Sequence, residues 1–170
     1  MKKHLYHGFS EESLRKIAHQ KVNFRYSVKI HIGVFIIVSI LLLIINLLFT
    51  PLILWIIYPF FGWLIGVAEH SVAYILYARG VYPIAKRGVI FHLTAYIFTI
   101  NFLFIINFFT LHPYYWALFP AIFWGAAIIL HIIAYLVYYR GKIDENGEGK
   151  SRKDKAIDKE LEKMKQRMEK

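Results

Sequence analysis

The sequence contains no cysteine, which excludes disulfides, thiolate metal ligands and palmitoylation. Charge is also missing over two long stretches. Between Lys29 and Arg79 the only charged residue is Glu69, and between Arg87 and Arg140 there is none. Charged residues make up 19% of the chain and hydrophobic residues 58%, against about 25% and about 45–50% in soluble domains. This composition indicates an integral membrane protein.

Each uncharged stretch is long enough for two membrane spans, because about 20 apolar residues cross a bilayer as a helix. A proline-containing turn divides each stretch, at Pro51 and at Pro113. Barrel strands are excluded, since they alternate apolar and polar residues. The sequence predicts an all-α membrane protein, a four-transmembrane-helix bundle made of two tandem hairpins. The predicted spans cover about residues 30–49, 52–77, 90–109 and 114–139.

The net charge of +10 is confined to three segments. Every lysine and arginine lies in residues 1–29, in residues 79–87, or from Arg140 onward. An even number of spans puts these segments on one face, which the positive-inside rule assigns to the cytoplasm. We therefore expect a multi-pass protein of the cell (inner or plasma) membrane with both termini cytoplasmic. Anionic lipid headgroups are the expected partner at that face, and nucleic acid is not.

The chain contains an internal duplication with an offset of 61 residues. The offset pairs His31 with His92 and His70 with His131. It also pairs rarer residue types: Asn46 with Asn107, Trp55 with Trp116, Pro59 with Pro120, Trp63 with Trp124, and Tyr74 with Tyr135. Coincidences of tryptophan, histidine, asparagine and proline in one register indicate two parallel repeats, related by an axis along the membrane normal.

The repeated residues resemble the bacterial and archaeal 2TM domain family, in two tandem copies over about residues 15–140. The resemblance rests on a histidine at the start of the first helix, an Ile-Ile-Asn end to that helix, a W-x-x-x-P motif, and a histidine in the second helix. In the first copy these are Ile30-His31, Ile44-Ile45-Asn46, Trp55 to Pro59 with Gly62-Trp63, and His70. The second copy departs by a shortened basic lead-in and by Phe123 in the place of Gly62. The resemblance implies the fold and the topology.

These patterns divide the chain into four parts. Residues 1–29 are a cytoplasmic amphipathic lead-in helix, capped by Ser10 and continuous with the first span. Residues 30–79 and 80–140 are the two hairpins, and residues 141–170 are a linker followed by a charged cytoplasmic helix. The tail helix carries one narrow apolar stripe, which favours a solvated or membrane-surface helix. The stripe consists of Ile157, Leu161, Met164 and Met168.

Four histidines fall in the cytoplasmic half of the predicted bundle. His31 and His92 enter their spans, whereas His70 and His131 each lie nine residues before an arginine, at a depth of about 13 Å. In pairs they could ligate haem b, bind zinc or copper, or sense pH. The alternative is that each histidine bonds a neighbouring carbonyl or side chain. Haem would take one histidine from a first helix and one from a second helix, within one hairpin or across the two hairpins, although the first members should lie roughly one to two turns shallower.

Glu69 has no counterpart in the repeat, because Leu130 occupies the equivalent position. An ionised carboxylate exposed to lipid at that depth costs a few kcal/mol. Glu69 should therefore face the interior, be protonated, or pair with a histidine or a basic residue. A role as a proton relay is the sharper hypothesis.

Small residues predict where the hairpins meet. Gly62 with Gly66, and Ala121 with Gly125, form faces that permit close helix approach. Asn46 and Asn107 are expected to bond helix-end carbonyls or each other.

Three functions remain open at this point. The first is a non-enzymatic scaffold, anchor or sensory module, because no hydrolase or transferase motif is present. The second is a b-type haem electron carrier, and the third is a small proton-linked transporter or channel that uses Glu69. A homo-oligomer is a further open possibility.

Overall fold

A computed structural model describes residues 5–6, 9–81, 84–110, 113–143 and 149–168. Two short strands, β1 (Leu5–Tyr6) and β2 (Phe9–Ser10), pair ahead of the helices. The four long helices are α1 (Glu11–Phe49), α2 (Ile57–Ala78), α3 (Ile84–Thr110) and α4 (Leu118–Ala134), and α4 ends in a π-helical turn (Tyr135–Tyr139). The tail consists of β3 (Lys142–Ile143), β4 (Gly149–Lys150) and α5 (Arg152–Met168).

Four of these helices are long and apolar enough to cross a membrane, with α4 counted through its π-helical turn. At most 11% of the residues in the most apolar window of each helix are buried within the chain. Apolar side chains therefore cover the outside of the molecule, where a soluble protein would carry polar ones. The predicted all-α, four-span membrane fold is confirmed.

The spanning helices pack in chain order, α1 on α2, α2 on α3, and α3 on α4. Among the described residues, α1 and α4 share no comparable contact. The four helices thus form an open row in chain order, and the two hairpins meet through α2 and α3. Phe61 and Phe102 stack across this junction, with ring centroids 6.3 Å apart and planes inclined by 21°.

The lead-in segment and the first span are one unbroken helix. The Ser10 hydroxyl accepts a hydrogen bond from the Ser13 amide at 3.2 Å and caps the helix start. Further along α1, Lys21 Nζ donates to the Ala78 carbonyl at 3.1 Å. Gln20 Oε1 accepts from the Tyr77 hydroxyl at 3.0 Å. The lead-in segment therefore packs against the end of α2.

The second helix of each hairpin starts later than the sequence predicts. α2 begins at Ile57 instead of Leu52, and α4 begins at Leu118 instead of Tyr114. The reason is a buried asparagine that holds the preceding residues in a turn. Asn46 Nδ2 donates to the Ile53 carbonyl at 2.8 Å, and its Oδ1 accepts from the Ile56 amide at 2.9 Å.

The second hairpin has the same turn. Asn107 Nδ2 donates to the Tyr114 carbonyl at 2.6 Å, and its Oδ1 accepts from the Ala117 amide at 2.9 Å. Asn46 and Asn107 are 0% and 3% exposed, so these bonds form away from solvent. We call this arrangement the asparagine clasp.

The tail contains a short strand pair ahead of α5. Residues 144–148 lie outside the described residues, but β3 and β4 on either side of them pair antiparallel. α5 begins after a reciprocal cap: Ser151 Oγ accepts from the Asp154 amide at 3.1 Å, and Asp154 Oδ2 accepts from the Ser151 amide at 3.0 Å. The apolar stripe of α5 stays exposed on its outer turns, with Met164 at 53%.

Candidate histidine and glutamate site

The histidines of the first hairpin are in direct contact with each other. The ring centroids of His31 on α1 and His70 on α2 lie 5.4 Å apart. The packing of α1 on α2 therefore brings the two rings into contact, although the sequence predicts that His31 lies roughly one to two turns shallower than His70. A cavity of about 500 Å³ opens beside them, lined by Asn23, Tyr26, Ser27, Ile30, His31 and His70.

Both rings of the first pair are hydrogen-bonded. The Trp63 indole N–H donates to His31 Nε2 at 2.8 Å. Because an indole can only donate, His31 Nε2 must accept, which requires the neutral imidazole with its proton on Nδ1. His70 Nε2 lies 3.2 Å from the Ser27 hydroxyl. Each ring of this pair therefore has a hydrogen-bond partner within the fold, as expected of histidines that stabilise the packing of two helices.

The histidines of the second hairpin touch in the same way but lack these partners. His92 on α3 and His131 on α4 have centroids 4.8 Å apart, with planes inclined by 88°. Among the described residues, neither ring has a hydrogen-bond partner. One cause is visible in the sequence, since Gly88 occupies the position equivalent to Ser27 and carries no hydroxyl.

Glu69 is the one charged residue of α2, the helix that packs on the second hairpin through α3. It lies on α2, and His92 on α3 is the ionisable group that acts on it electrostatically. Glu69 Oε1 is fully buried and has no hydrogen-bond partner among the described residues. His92 thus links two groups on neighbouring helices, Glu69 through an electrostatic interaction and His131 through a ring contact, and none of the three has a hydrogen-bond partner among the described residues. We call these three residues the Glu-His-His cluster.

The comparison with known families matches both hairpins. The family model of the 2TM domain matches residues 16–79 and again residues 85–162. The chain belongs to the 2TM domain family. The match confirms two tandem copies, and its second segment extends beyond the spans into the tail. No curated protein and no solved structure matches the chain.

The two 2TM copies share an aromatic core beside the histidines. Phe35 meets Trp63 at 5.8 Å and 80° in the first copy, and Tyr96 meets Trp124 at 5.8 Å and 85° in the second. Edge-to-face contacts of this kind favour close ring packing. Trp63 and Trp124 therefore pack within their own copies.

Neither histidine pair within a 2TM copy fits haem. Metal–nitrogen bonds of about 2 Å on opposite sides of an iron would place the two ring centroids about 6 Å apart, with the porphyrin between them. The observed separations are 5.4 and 4.8 Å. In the first copy both Nε2 atoms are also engaged, by Trp63 and Ser27. Haem binding would require the rings to separate and these bonds to break.

Zinc or copper would need further ligands around a histidine pair. Within the part of the chain that the structure describes, no group of three or more His, Asp or Glu residues is arranged to hold a metal ion. The Glu-His-His cluster consists of three side chains that can each gain or lose a proton.

The small residues do not all lie where the 2TM copies meet. A Cβ added to Gly62 would lie 3.8 Å from Phe102 on α3, so Gly62 does face the other copy. A Cβ on Gly66 would meet nothing within 4 Å, and one on Gly125 would lie 3.0 Å from Tyr96 Oη. Ala121 also contacts Tyr96, because its carbonyl accepts from that hydroxyl at 2.9 Å. Ala121 and Gly125 thus pack inside their own copy, since α4 lies on α3 rather than on α2.

Sequence reasoning missed two partners that shape the site. Ser27 lies on the lead-in side of α1, and only the register between α1 and α2 brings it to His70. Tyr96 is one aromatic residue among many in α3, and its bond to Ala121 depends on how α4 docks. The 61-residue offset does point to Ser27, because the equivalent residue of the second copy is Gly88, which has no hydroxyl.

Proposed function

We propose that this 2TM protein is a non-enzymatic anchor or scaffold of the cell membrane, with both termini in the cytoplasm. The observation that carries the proposal is the distribution of charge over the fold. The segments that join the two helices of each hairpin, residues 50–56 and 111–117, contain no Lys, Arg, Asp or Glu. The lysines and arginines of the described residues all belong to the opposite end of the helix row, and such an excess marks the cytoplasmic side.

The contacts at the basic end support a common cytoplasmic platform. The lead-in part of α1 bonds to the end of α2 through Lys21 and Ala78. The end of α4 contacts α5, where Lys153 Nζ lies 4.9 Å from the centre of the Tyr139 ring. The lead-in helix and the tail are thus tied to the ends of the spans, as an anchor for cytoplasmic partners requires.

Reporter fusions test this topology. Fused after Met168, a green fluorescent protein should fluoresce and an alkaline phosphatase should stay inactive, because the tail does not cross the membrane. An alkaline phosphatase inserted after Pro113 should be active and serves as the matched control. Phosphatase activity at the tail together with a dark fluorescent fusion would refute the proposal.

The second candidate function is a proton-linked transporter or channel, and the Glu-His-His cluster favours it. Its three groups come from α2, α3 and α4, and none has a hydrogen-bond partner among the described residues. Groups without fixed partners can gain and lose protons without breaking a hydrogen bond. His31 and His70, by contrast, are held by Trp63 and Ser27.

Proton flux in proteoliposomes tests the second candidate. With an imposed pH gradient and an internal pH-sensitive dye, the protein should dissipate the gradient faster than empty vesicles. Glu69→Gln and His131→Gln should each reduce the rate to that of empty vesicles. His70→Gln, at the repeat-equivalent position, is the matched control and should retain the rate. Equal rates for the unmodified protein and Glu69→Gln would count against this candidate.

A further inference from the structure

A basic pocket lies where the end of α4 meets the tail. Its volume is about 360 Å³. Cations from three successive segments converge on it, while two aliphatic residues of the last turns of α4 form its remaining wall. The pocket is lined by Leu136, Val137, Arg140, Lys150, Arg152 and Lys155.

Within the part of the chain that the structure describes, the charge of this pocket is poorly compensated. Lys150 pairs with Asp158 at 3.1 Å. Arg140, Arg152 and Lys155 have no ion-pair partner among the described residues. Three cations brought together in one concave site repel one another, and an anion in the pocket would relieve that repulsion.

The acidic residue nearest in sequence is held away from the pocket. Asp154 lines the neighbouring cavity with Ile84 and Tyr139. The Ser151 hydroxyl donates to Asp154 Oδ2 at 2.6 Å, and this bond holds the pKa of the carboxyl below its ordinary value. Asp154 thus remains a charged cap of α5 and does not neutralise Arg152 or Lys155.

The pocket also has an apolar side that continues into the membrane surface. Leu136 and Val137 belong to the π-helical turn that ends α4, and they are 45% and 37% exposed. Tyr138 beside them is 56% exposed, and exposed tyrosines at the end of a span are typical of the headgroup level. A ligand that fills this pocket should therefore carry an anionic head and an apolar tail.

We propose that this pocket binds the phosphate of an anionic phospholipid headgroup, with the first methylenes of its chains on Leu136 and Val137. Arginines suit this ligand, because a guanidinium donates two parallel hydrogen bonds to phosphate oxygens. Arg152 and Lys155 are three residues apart on α5 and lie on one helix face. The bound lipid would hold α5 on the membrane at the end of α4. This inference rests on the proposed cytoplasmic placement in one respect only, because that placement decides which leaflet supplies the lipid.

Lipid retention by the full chain tests the pocket. The protein is purified in an uncharged detergent and titrated with short-chain phosphatidylglycerol, with phosphatidylcholine, or with inorganic phosphate, and bound ligand is counted by native mass spectrometry. Phosphatidylglycerol should bind at least about 10-fold more tightly than phosphatidylcholine. The pair Arg140→Gln and Arg152→Gln should weaken phosphatidylglycerol roughly 30-fold, from about 1 kcal/mol for each cation.

The matched control also removes two cations, with Lys159→Gln and Lys165→Gln, which lie on α5 outside the pocket. It should change the affinity by no more than about threefold. If both pairs of substitutions weakened phosphatidylglycerol binding equally, the lipid would be held by the general positive charge of the tail and not by this pocket. Equal affinity for phosphatidylglycerol and phosphatidylcholine would overturn the proposal outright. Displacement of phosphatidylglycerol by inorganic phosphate at similar concentration would assign the pocket to a soluble anion instead. Lys155→Gln, an exposed single change, repeats the test if the double variant does not fold.

This assay is independent of orientation in the membrane. A reversed topology in the reporter fusions with intact lipid binding would reject the anchor proposal alone. Correct topology without lipid preference would reject the pocket alone.

Discussion

Replacing Asn46 by leucine should lower the free energy of unfolding by about 3 kcal/mol, because the buried Ile56 amide loses its hydrogen-bond acceptor. Two carbonyls, of Thr50 and Ile53, each lose one donor as well. Asn107→Leu should have a similar effect through the buried Ala117 amide. The thermal midpoint in mild detergent should fall by roughly 6–12 °C for each change.

Asn101→Leu is the matched control for the asparagine clasp. Asn101 is exposed and bonds only the Ile97 carbonyl of its own helix, at 2.7 Å. Its replacement should change the free energy of unfolding by no more than about 0.5 kcal/mol. If Asn46→Leu were as mild as this control, the turns would not depend on the clasp. Asn46→Asp separates the two halves of the clasp, because a carboxylate still accepts from Ile56 but cannot donate.

Replacing Gly125 by leucine should cost about 1–3 kcal/mol through overpacking. A Cβ at this position would lie 3.0 Å from Tyr96 Oη, and the longer side chain would separate that hydroxyl from the Ala121 carbonyl. Gly66→Leu should leave the thermal midpoint unchanged or raise it, because a Cβ there meets nothing within 4 Å and leucine favours helix.

Tyr96→Phe checks the cause of that loss. It removes the hydroxyl that the new leucine would strike, so the double variant with Gly125→Leu should lose less stability than the two single changes added together. If Gly66→Leu and Gly125→Leu were both harmful, and Tyr96→Phe did not reduce the effect of Gly125→Leu, the hairpins would meet through both pairs of small residues, as the sequence alone predicts.

The spans could be predicted because their evidence is local. A run of residues without charge fixes a membrane helix regardless of its neighbours, and the offset that pairs His31 with His92 reveals the duplication. The helix starts after Pro51 and Pro113 were predicted too early because Ile53 and Tyr114 are apolar enough for a span. Their backbone groups instead bond to an asparagine seven residues earlier, and no hydropathy pattern contains that bond.

The candidate site was only half visible in the sequence. The spacing of the histidines predicts that four of them lie in one layer. The 61-residue offset predicts that Glu69 has no counterpart in the second copy. The distances between these side chains could not be predicted, because they depend on the axial register of one helix against the next. That register places His31 beside His70 and leaves Glu69 within electrostatic reach of His92 on α3.

The unbroken first helix has a mechanical consequence. Its 39 residues span about 58 Å at a rise of 1.5 Å per residue, whereas the hydrocarbon core of a bilayer is about 30 Å thick. A stiff arm of about 28 Å therefore extends from the apolar layer. A tilt of the arm by about 10° would displace its tip by about 5 Å. Gln20 and Lys21 bond the arm to the end of α2, so force applied to the start of α1 would be shared with the second helix of the hairpin.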